Sequence, residues 1–292
     1  MNNLVQNYEK ILELLHSTCS DILSIKQYRV PKMSDIELAS LNFTAEYMSY
    51  NSELQLFRAI QGTYLAHKIE RSVFNKRKRN LFAYFEKIRQ RISSKFSNLS
   101  NVFIVDSTPL EICHFVRARR SGICSTDEIK PDFGYCSAKK MRYFGYKLHL
   151  VCDTNAIVHS FDFTPASAHD VKYLNDIKYN IANCELIGDK GYISADYQTD
   201  LFNYSKIKLV VPCRKNQKEQ VYFSNEKRKK RKRIETLFSQ LYGQFTLKTN
   251  FAKTFQGLIT RILSKITAIT IIQYLNCFVY KRNINILKSN LD

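Results

Sequence analysis

The fold is decided by Val102-Phe103-Ile104-Val105-Asp106-Ser107-Thr108, a run of mostly β-branched and aromatic residues. A run without polar alternation is typical of a strand that is buried on both faces of a sheet. Side chains at the carboxyl ends of such strands point into the crevice where ligands gather. We therefore predict a short strand that ends on Asp106 at a functional edge. The alternative is an ordinary solvated strand end.

A second carboxylate stands in a similar position. Asp189 follows the short apolar run Glu185-Leu186-Ile187 and lies between Gly188 and Gly191. Glycines permit close approach of the backbone, so the aspartate can be presented on a tight turn. The alternative is a plain Gly-Asp-Lys-Gly turn without a further role.

A third carboxylate, Glu235, lies on a predicted amphipathic helix. Apolar residues recur there at helical spacing: Ile234, Leu237, Phe238, Leu241 and Phe245. Glu235 stands beside Phe238 at the edge of this buried stripe, from which a carboxylate can reach toward a sheet. The alternative is an ion pair between Glu235 and Arg231, four residues earlier.

The charge is distributed unevenly along the 292 residues, whose net charge is +19. Residues 1–100 carry 15 basic and 9 acidic side chains, residues 101–213 carry 13 of each, and residues 214–292 carry 17 and 4. A neutral middle between basic ends predicts a chemical core held against a polyanion, of which nucleic acid is the first candidate. A membrane surface is the competing partner.

Residues 1–98 are predicted to form an all-helical domain. The capping-box pattern of Ser34 and Glu37 starts one helix, and a second short helix closes near Gly62, so the pair is compatible with a helix-turn-helix. A long basic helix is predicted over residues 66–92, where cations suit phosphate contacts. The polar stretch 93–100 marks the domain boundary, and residues 281–292 form a basic tail.

The second domain, residues 99–280, is predicted to hold a mixed sheet with flanking helices. Residues 113–140 read as an irregular loop. The predicted elements after it are a hairpin of strands 143–151 and 157–163, a helix 169–179, strands 184–188 and 208–212, the Glu235 helix and a buried helix 257–280. Alternation on the first hairpin strand places Lys147 and His149 on one face.

Eight scattered cysteines without a Cys-x-x-Cys pair indicate reduced thiols in the cytosol. A zinc cluster of Cys113, His114, Cys124 and Cys136 has spacings unlike the common zinc modules. The apolar run from Ile266 to Tyr280 is short for a membrane span, so we expect no membrane partner.

Several motifs, in order, resemble those of the DDE transposases of bacterial insertion sequences. They are Ile104-Val105-Asp106-Ser107, Phe144-Gly145-Tyr146-Lys147-Leu148-His149, Thr164-Pro165-Ala166-Ser167-Ala168-His169-Asp170, Gly188-Asp189-Lys190-Gly191-Tyr192 and Ile234-Glu235-Thr236-Leu237-Phe238-Ser239-Gln240-Leu241. The stretch 72–77 is similar to the front domain of the insertion-sequence nine-eight-two family. In a related branch with a Tyr–Arg–Glu–Lys signature, Arg231 matches, whereas Arg228 and Tyr242 replace the Tyr and the Lys.

The resemblance implies a ribonuclease-H-like catalytic domain with Asp106, Asp189 and Glu235 as the catalytic, metal-binding triad. It implies two Mg²⁺ ions, which Mn²⁺ can replace, with Asp106 bridging them. The partners would be double-stranded DNA, as terminal repeats and target, and a second copy of the chain in the synaptic complex. Candidate DNA contacts are Arg71, Lys76, Arg77, Lys78, Arg79, Lys147, His149, Lys190, Arg228, Lys229, Lys230, Arg231, Lys232 and Arg233.

Three functions follow from this reading. The leading one is an active, cytoplasmic, DNA-associated transposase that frees a 3′-OH at the element end and joins it to target DNA. The second is a catalytically inactive DNA-binding protein descended from a transposase. The third is a structure-selective nuclease of the same fold.

Overall fold

The computed structural model describes residues 3–25, 29–213, 223–288 and 291, and only the backbone for residues 97–99. The chain divides into two compact units, Met1–Lys95 with Gln240–Asp292, and Phe96–Ser239. The sequence predicts a boundary between two domains at residue 98 and a second domain that continues to residue 280. The packing instead groups everything after Ser239 with the N-terminal helices. The predicted tail 281–292 lies partly outside the described residues.

The first unit is helical. Its elements are α1 (Leu4–Cys19), α2 (Asp35–Tyr47), α3 (Glu53–Ala59), α4 (Arg71–Asn80), α5 (Phe82–Ser93) and α9 (Phe255–Tyr274). The predicted capping box of α2 is present, because Ser34 accepts from the Glu37 amide while the Glu37 side chain accepts from the Ser34 amide. Helices α2 and α3 are both short, as predicted.

The predicted single basic helix over 66–92 is wrong. Helix α4 begins only at Arg71, because Glu70 has extended backbone angles, and α4 and α5 are separated at Leu81. Leu81 is buried, with 2% of its surface exposed. The break lets both helices turn apolar residues toward one core.

Helix α9 is the central helix of this unit, and a π-helical turn, Leu275–Val279, extends it. Phe255–Val279 is long and apolar enough to span a membrane, but 78% of its apolar window is buried inside the protein. The Asn42 amide donates to Ser264 Oγ over 2.7 Å. Lys265 pairs with Glu46, and both are buried. The predicted buried helix is therefore confirmed, but it packs among the N-terminal helices.

The second unit contains a six-stranded mixed sheet. Its strands are β1 (Val102–Glu111), β2 (Asp132–Cys136), β3 (Met141–Asp153), β4 (Val158–Pro165), β5 (Glu185–Ile187) and β6 (Lys208–Val210). β3 pairs antiparallel with β1 on one side and with β2 and β4 on the other, and β1, β5 and β6 are parallel. This confirms the predicted ribonuclease-H-like mixed sheet, with β2 as an added edge strand.

Two local predictions in this unit need correction. Residues 113–140 are not a loop throughout, because Phe115–Arg120 form a 3₁₀ helix and β2 pairs with β3. The predicted helix over 169–179 is a 3₁₀ turn, Asp170–Tyr173, followed by the single turn α6 (Leu174–Ile177). β2 forms a hairpin with the strand that follows it, with Cys136 opposite Met141.

Helices α6, α7 (Ala195–Ser205) and α8 (Asn225–Gly243) flank the sheet. Tyr173, Leu174, Ile177 and Leu201 form a buried core with Val105. The apolar stripe predicted for α8 is confirmed, since Ile234, Leu237, Phe238 and Leu241 are buried. Lys227 at the start of α8 pairs with Glu185 of β5 at 3.2 Å. This ion pair ties the helix to the middle of the sheet.

Gly145 of β3 occupies a position that other residues cannot fill. Its φ is +151°, and an added Cβ would lie 2.1 Å from the carbonyl oxygen of Leu110. Only glycine permits this close approach of β1 to β3.

Candidate active site

Strand register brings Asp106 and Asp189 to the same edge. The last parallel pair between β1 and β5 is Ile104 with Ile187. Asp106 lies two residues after Ile104, and Asp189 lies two residues after Ile187. β1 continues to Glu111 along β3, so Asp106 lies within the strand. The prediction that the strand ends on Asp106 is therefore wrong. The strand extends further because β3 supplies hydrogen bonds on its other side. The crevice opens where β5 stops.

Asp189 is presented by a tight turn, as predicted. It caps the short 3₁₀ helix Lys190–Tyr192, and its Oδ1 accepts from the Gly191 amide at 2.7 Å. An added Cβ on Gly191 would lie 2.9 Å from that oxygen. An added Cβ on Gly188 would lie 3.3 Å from atoms of Tyr192 and Val105. Gly188 therefore lets the turn pack close against Val105 of β1, and Gly191 lets the backbone approach the Asp189 carboxylate.

The two aspartates repel each other in a partly desolvated place. Burial, followed by the charge of Asp189, raises the pKa of Asp106 to about 7, although the Ser107 amide and Arg231 act in the opposite direction. Burial also raises the pKa of Asp189. Two close carboxylates without enough positive charge between them form a site suited to a cation.

Glu235 joins the same cleft from α8. Arg228, Arg231 and Glu235 lie on one face of the helix and all line a cleft of about 1110 Å³ with Asp106 and Asp189. Glu235 pairs with Arg231 at 2.8 Å, and 48% of its side chain is exposed. Within the described parts of the chain, no three His, Cys, Asp or Glu side chains are close enough to hold one metal ion. Glu235 thus faces the cleft while paired with arginine.

Asp170 is a fourth carboxylate in the cleft, and the sequence predicted it only as part of a motif and of a helix over 169–179. Its Oδ1 accepts from Ser107 Oγ and from Lys147 Nζ, each at 3.0 Å. Lys147 also donates to the carbonyl of Ala168 at 2.7 Å. The available signal was the position of Asp170 in the short segment that follows β4, which ends at Pro165. Asp170 therefore fixes the ammonium of Lys147 beside the aspartates.

The predicted cations of this unit separate into three groups. Lys147, Lys190, Arg228 and Arg231 line the cleft. Lys229, Lys230, Lys232 and Arg233 do not line it, and Lys230 pairs with Glu226 at 2.7 Å. His149 shares a face with Lys147 but is fully buried against Tyr173. Burial lowers its pKa to about 4, so it is neutral at pH 7 and is removed from the candidate phosphate contacts.

Two of the cations predicted on α4 are used inside the helical unit. Arg77 pairs with Asp35 at 2.6 Å, and Lys78 pairs with Glu53 at 2.8 Å. Both side chains are largely buried, which argues against DNA contact. Arg71 and Lys76 are exposed, and Arg79 is half-buried.

Comparison with known proteins gives a family for these features. The family model described as "Transposase DDE domain" matches residues 97–271, more than half of the chain. A structure of the Mos1 transposase paired-end complex with left transposon end aligns at 10% identity over 91% of this chain and 86% of that one. Its TM-score of 0.22 is too low to carry an argument. No curated protein matches the sequence.

Proposed function

Since the chain belongs to the family of transposase DDE domains, we propose that it cleaves DNA at the ends of an insertion sequence and joins the freed 3′-OH to target DNA. The observation that carries this proposal is the single cleft that gathers Asp106, Asp189 and Glu235 with four cationic side chains. The carboxylates suit binding of a metal ion, and the cationic side chains suit direct contact with the phosphates of a nucleic acid.

The donor set fits Mg²⁺ or Mn²⁺. Both are hard cations that prefer carboxylate oxygens, and Mg²⁺ in phosphoryl-transfer sites is held by one or two carboxylates plus substrate phosphates. Asp106 and Asp189 would hold the metal, and Glu235 would join them by exchanging its arginine partner. Two bound divalent ions supply an activated oxygen nucleophile and neutralise the leaving oxygen. The buried, mutually repelling aspartates support this fit.

The protein's own side chains have separate tasks in this scheme. Lys147, held by Asp170 and Ala168, would contact a phosphate oxygen of the substrate. Lys190 and Arg228 would bind the flanking backbone phosphates. Arg231 would release Glu235 and contact the DNA instead. No protein nucleophile is required, since water attacks first and the freed 3′-OH attacks the target second.

The remaining parts of the proposal concern partners and lineage. The substrate would be double-stranded DNA, as terminal repeats and as target. A homodimer would hold two element ends in one synaptic complex. The similarity of residues 72–77 to the front domain of the insertion-sequence nine-eight-two family favours that lineage.

The pairing of Glu235 with Arg231 favours one second candidate. If that ion pair persists on DNA, the chain is an inactive, transposase-derived DNA-binding protein. A structure-selective nuclease of the same fold would cleave DNA without joining it.

Incubation of a labelled element end with a supercoiled plasmid and Mg²⁺ tests the proposal. We expect labelled plasmid with wild-type protein and none with Asp106→Ala. Cleavage without joining would indicate the nuclease, and a gel shift without cleavage would indicate the inactive DNA-binding protein.

A further inference from the structure

The helical unit contains a second cavity, which shares no lining residue with the cleft of Asp106. Its volume is about 380 Å³, within the range of pockets that hold small ligands. Residues of α2, α3 and α4, the segment 250–254 and the first turns of α9 line it. The scheme for DNA cleavage uses none of these side chains.

Both acidic residues of the cavity are neutralised by neighbouring side chains. Glu46 lies between Lys265 and Arg261, with Arg261 Nε at 3.3 Å. Glu53 accepts from Lys78 at 2.8 Å and from Asn75 at 2.6 Å. Neither carboxylate is therefore available to balance additional cations.

Three cationic lining residues remain: Arg71, Arg79 and Lys253. Among the described residues, none of the three has an acidic partner. Asn250 also lines the cavity, and its buried amide nitrogen donates to no acceptor in the described chain. Its oxygen is used by the Ala252 amide at 2.9 Å. The cavity thus has a surplus of charged and neutral donors, which an anionic, acceptor-rich ligand would satisfy.

The other wall of the cavity is apolar. Leu54 and Phe251 are 46% and 64% exposed, whereas Leu56 and Phe74, which also line this wall, are buried. The first turn of α9 adds weak positive charge, with Thr254 Oγ1 accepting from the Gly257 amide at 3.2 Å. Cations on one side and apolar groups on the other match a ligand with a charged end and a flat apolar end.

We propose that this cavity binds a nucleotide, with Arg71, Arg79 and Lys253 on its phosphate and the exposed side chains of Leu54 and Phe251 against its base. The nucleotide is either a unit of a DNA strand or a free mononucleotide, since both present a phosphate joined to a sugar and a base. The proposal rests on this cavity alone and does not depend on DNA cleavage.

Equilibrium dialysis of labelled 2′-deoxyadenosine 5′-monophosphate against the full chain tests the proposal. An Asp106→Asn background in EDTA removes metal-dependent binding at the catalytic cleft, and any contribution of the cleft cations is the same in every variant compared. We expect Arg71→Gln/Arg79→Gln/Lys253→Gln to weaken binding at least about tenfold, as loss of charge-assisted hydrogen bonds requires. A double variant that keeps the half-buried Arg79 should show a smaller loss and guards against misfolding.

The matched control is Lys32→Gln/Arg58→Gln/Lys87→Gln. These three side chains are exposed, carry the same total charge and do not line the cavity. The control should bind the nucleotide as the background protein does. If both triple variants weaken nucleotide binding equally, the loss is due to the change in net charge alone, which would overturn the proposal.

Two further ligands identify the source of the phosphate. A five-nucleotide single strand that loses affinity in the cavity variant, while the mononucleotide never binds, would assign the site to DNA. Loss for both ligands would assign it to nucleotides in general. Equal binding of uncharged 2′-deoxyadenosine, or binding of neither phosphate ligand at the cavity, would contradict the proposal.

Discussion

Glu46 and Asp106 are both carboxylates in protected places, but the protein treats them differently. Burial would raise the pKa of Glu46, yet Lys265 and Arg261 more than offset it, so the pKa is lowered. At Asp106, burial and the charge of Asp189 raise the pKa to about 7. The helical unit thus balances its own buried charge, whereas the cleft leaves negative charge for a ligand to balance. Neutralising Glu46 should therefore lower stability, whereas neutralising Asp106 should lower activity.

The largest effect is expected for Asp106→Asn. Cleavage of an element end in Mg²⁺ should fall at least about 10³-fold, since the residue belongs to a set that acts as a unit. Thermal unfolding should occur at an unchanged or higher temperature, because a repulsive charge is removed. Asp196→Asn, at an exposed site on α7, is the control. Activity of Asp106→Asn within about tenfold of wild type would remove Asp106 from the site.

Glu46→Gln should act in the opposite way, on stability. Removing one partner of a buried ion pair leaves Lys265 uncompensated, which costs about 3–5 kcal/mol in the free energy of unfolding. Urea unfolding measures this loss. Glu13→Gln, at a side chain that is 71% exposed, should change stability by less than about 1 kcal/mol. Similar losses for the two variants would show that Glu46 is not a structural charge.

Asp170→Asn should have an intermediate effect on cleavage. Lys147 would lose its charged partner but keep the Ala168 carbonyl, so its ammonium would be positioned less well. We expect about 10- to 100-fold slower cleavage, mainly in kcat. Asp176→Asn, at an exposed site on α6, should cleave normally. A change confined to KM would instead assign Asp170 to ground-state DNA binding.

The last prediction concerns the dependence of stability on pH. The pKa of Asp106 is raised from 3.8 to about 7, so between these values the folded state holds a proton that the unfolded state has released. The associated stability is present below pH 3.8 and is lost as the pH rises to about 7. In EDTA, Asp106→Asn should show a shallower fall in the free energy of unfolding over this window. Identical slopes for both proteins would contradict the raised pKa.

Local patterns predicted what depends on local sequence. The apolar runs around Ile104 and Ile187 and the 3.6-residue spacing on α8 predicted strands and a helix that the structure contains. The capping box at Ser34 predicted the start of α2. The order of the predicted strands and helices along the chain predicted the mixed sheet.

The misses depend on partners that are distant in the chain. The ion pair of Arg77 with Asp35 joins residues 42 positions apart, so the basic run could not reveal it. Alternation along β3 predicts that His149 and Lys147 share one face of the sheet, but it does not predict what packs on that face. In the structure Tyr173 packs against His149. The role of Asp170 in the cleft was not predicted, because its contact with Lys147 exists only after β3 and β4 have paired.

Binding of Mn²⁺, followed by electron paramagnetic resonance, tests most directly whether the cleft is built for a cation. The full chain should bind Mn²⁺ without DNA, and Asp106→Asn and Asp189→Asn should each weaken binding at least about tenfold. Glu235→Gln should weaken it less, because Glu235 is already paired with Arg231. Unchanged Mn²⁺ affinity in both aspartate variants would show that their charges serve no metal, which would contradict the account.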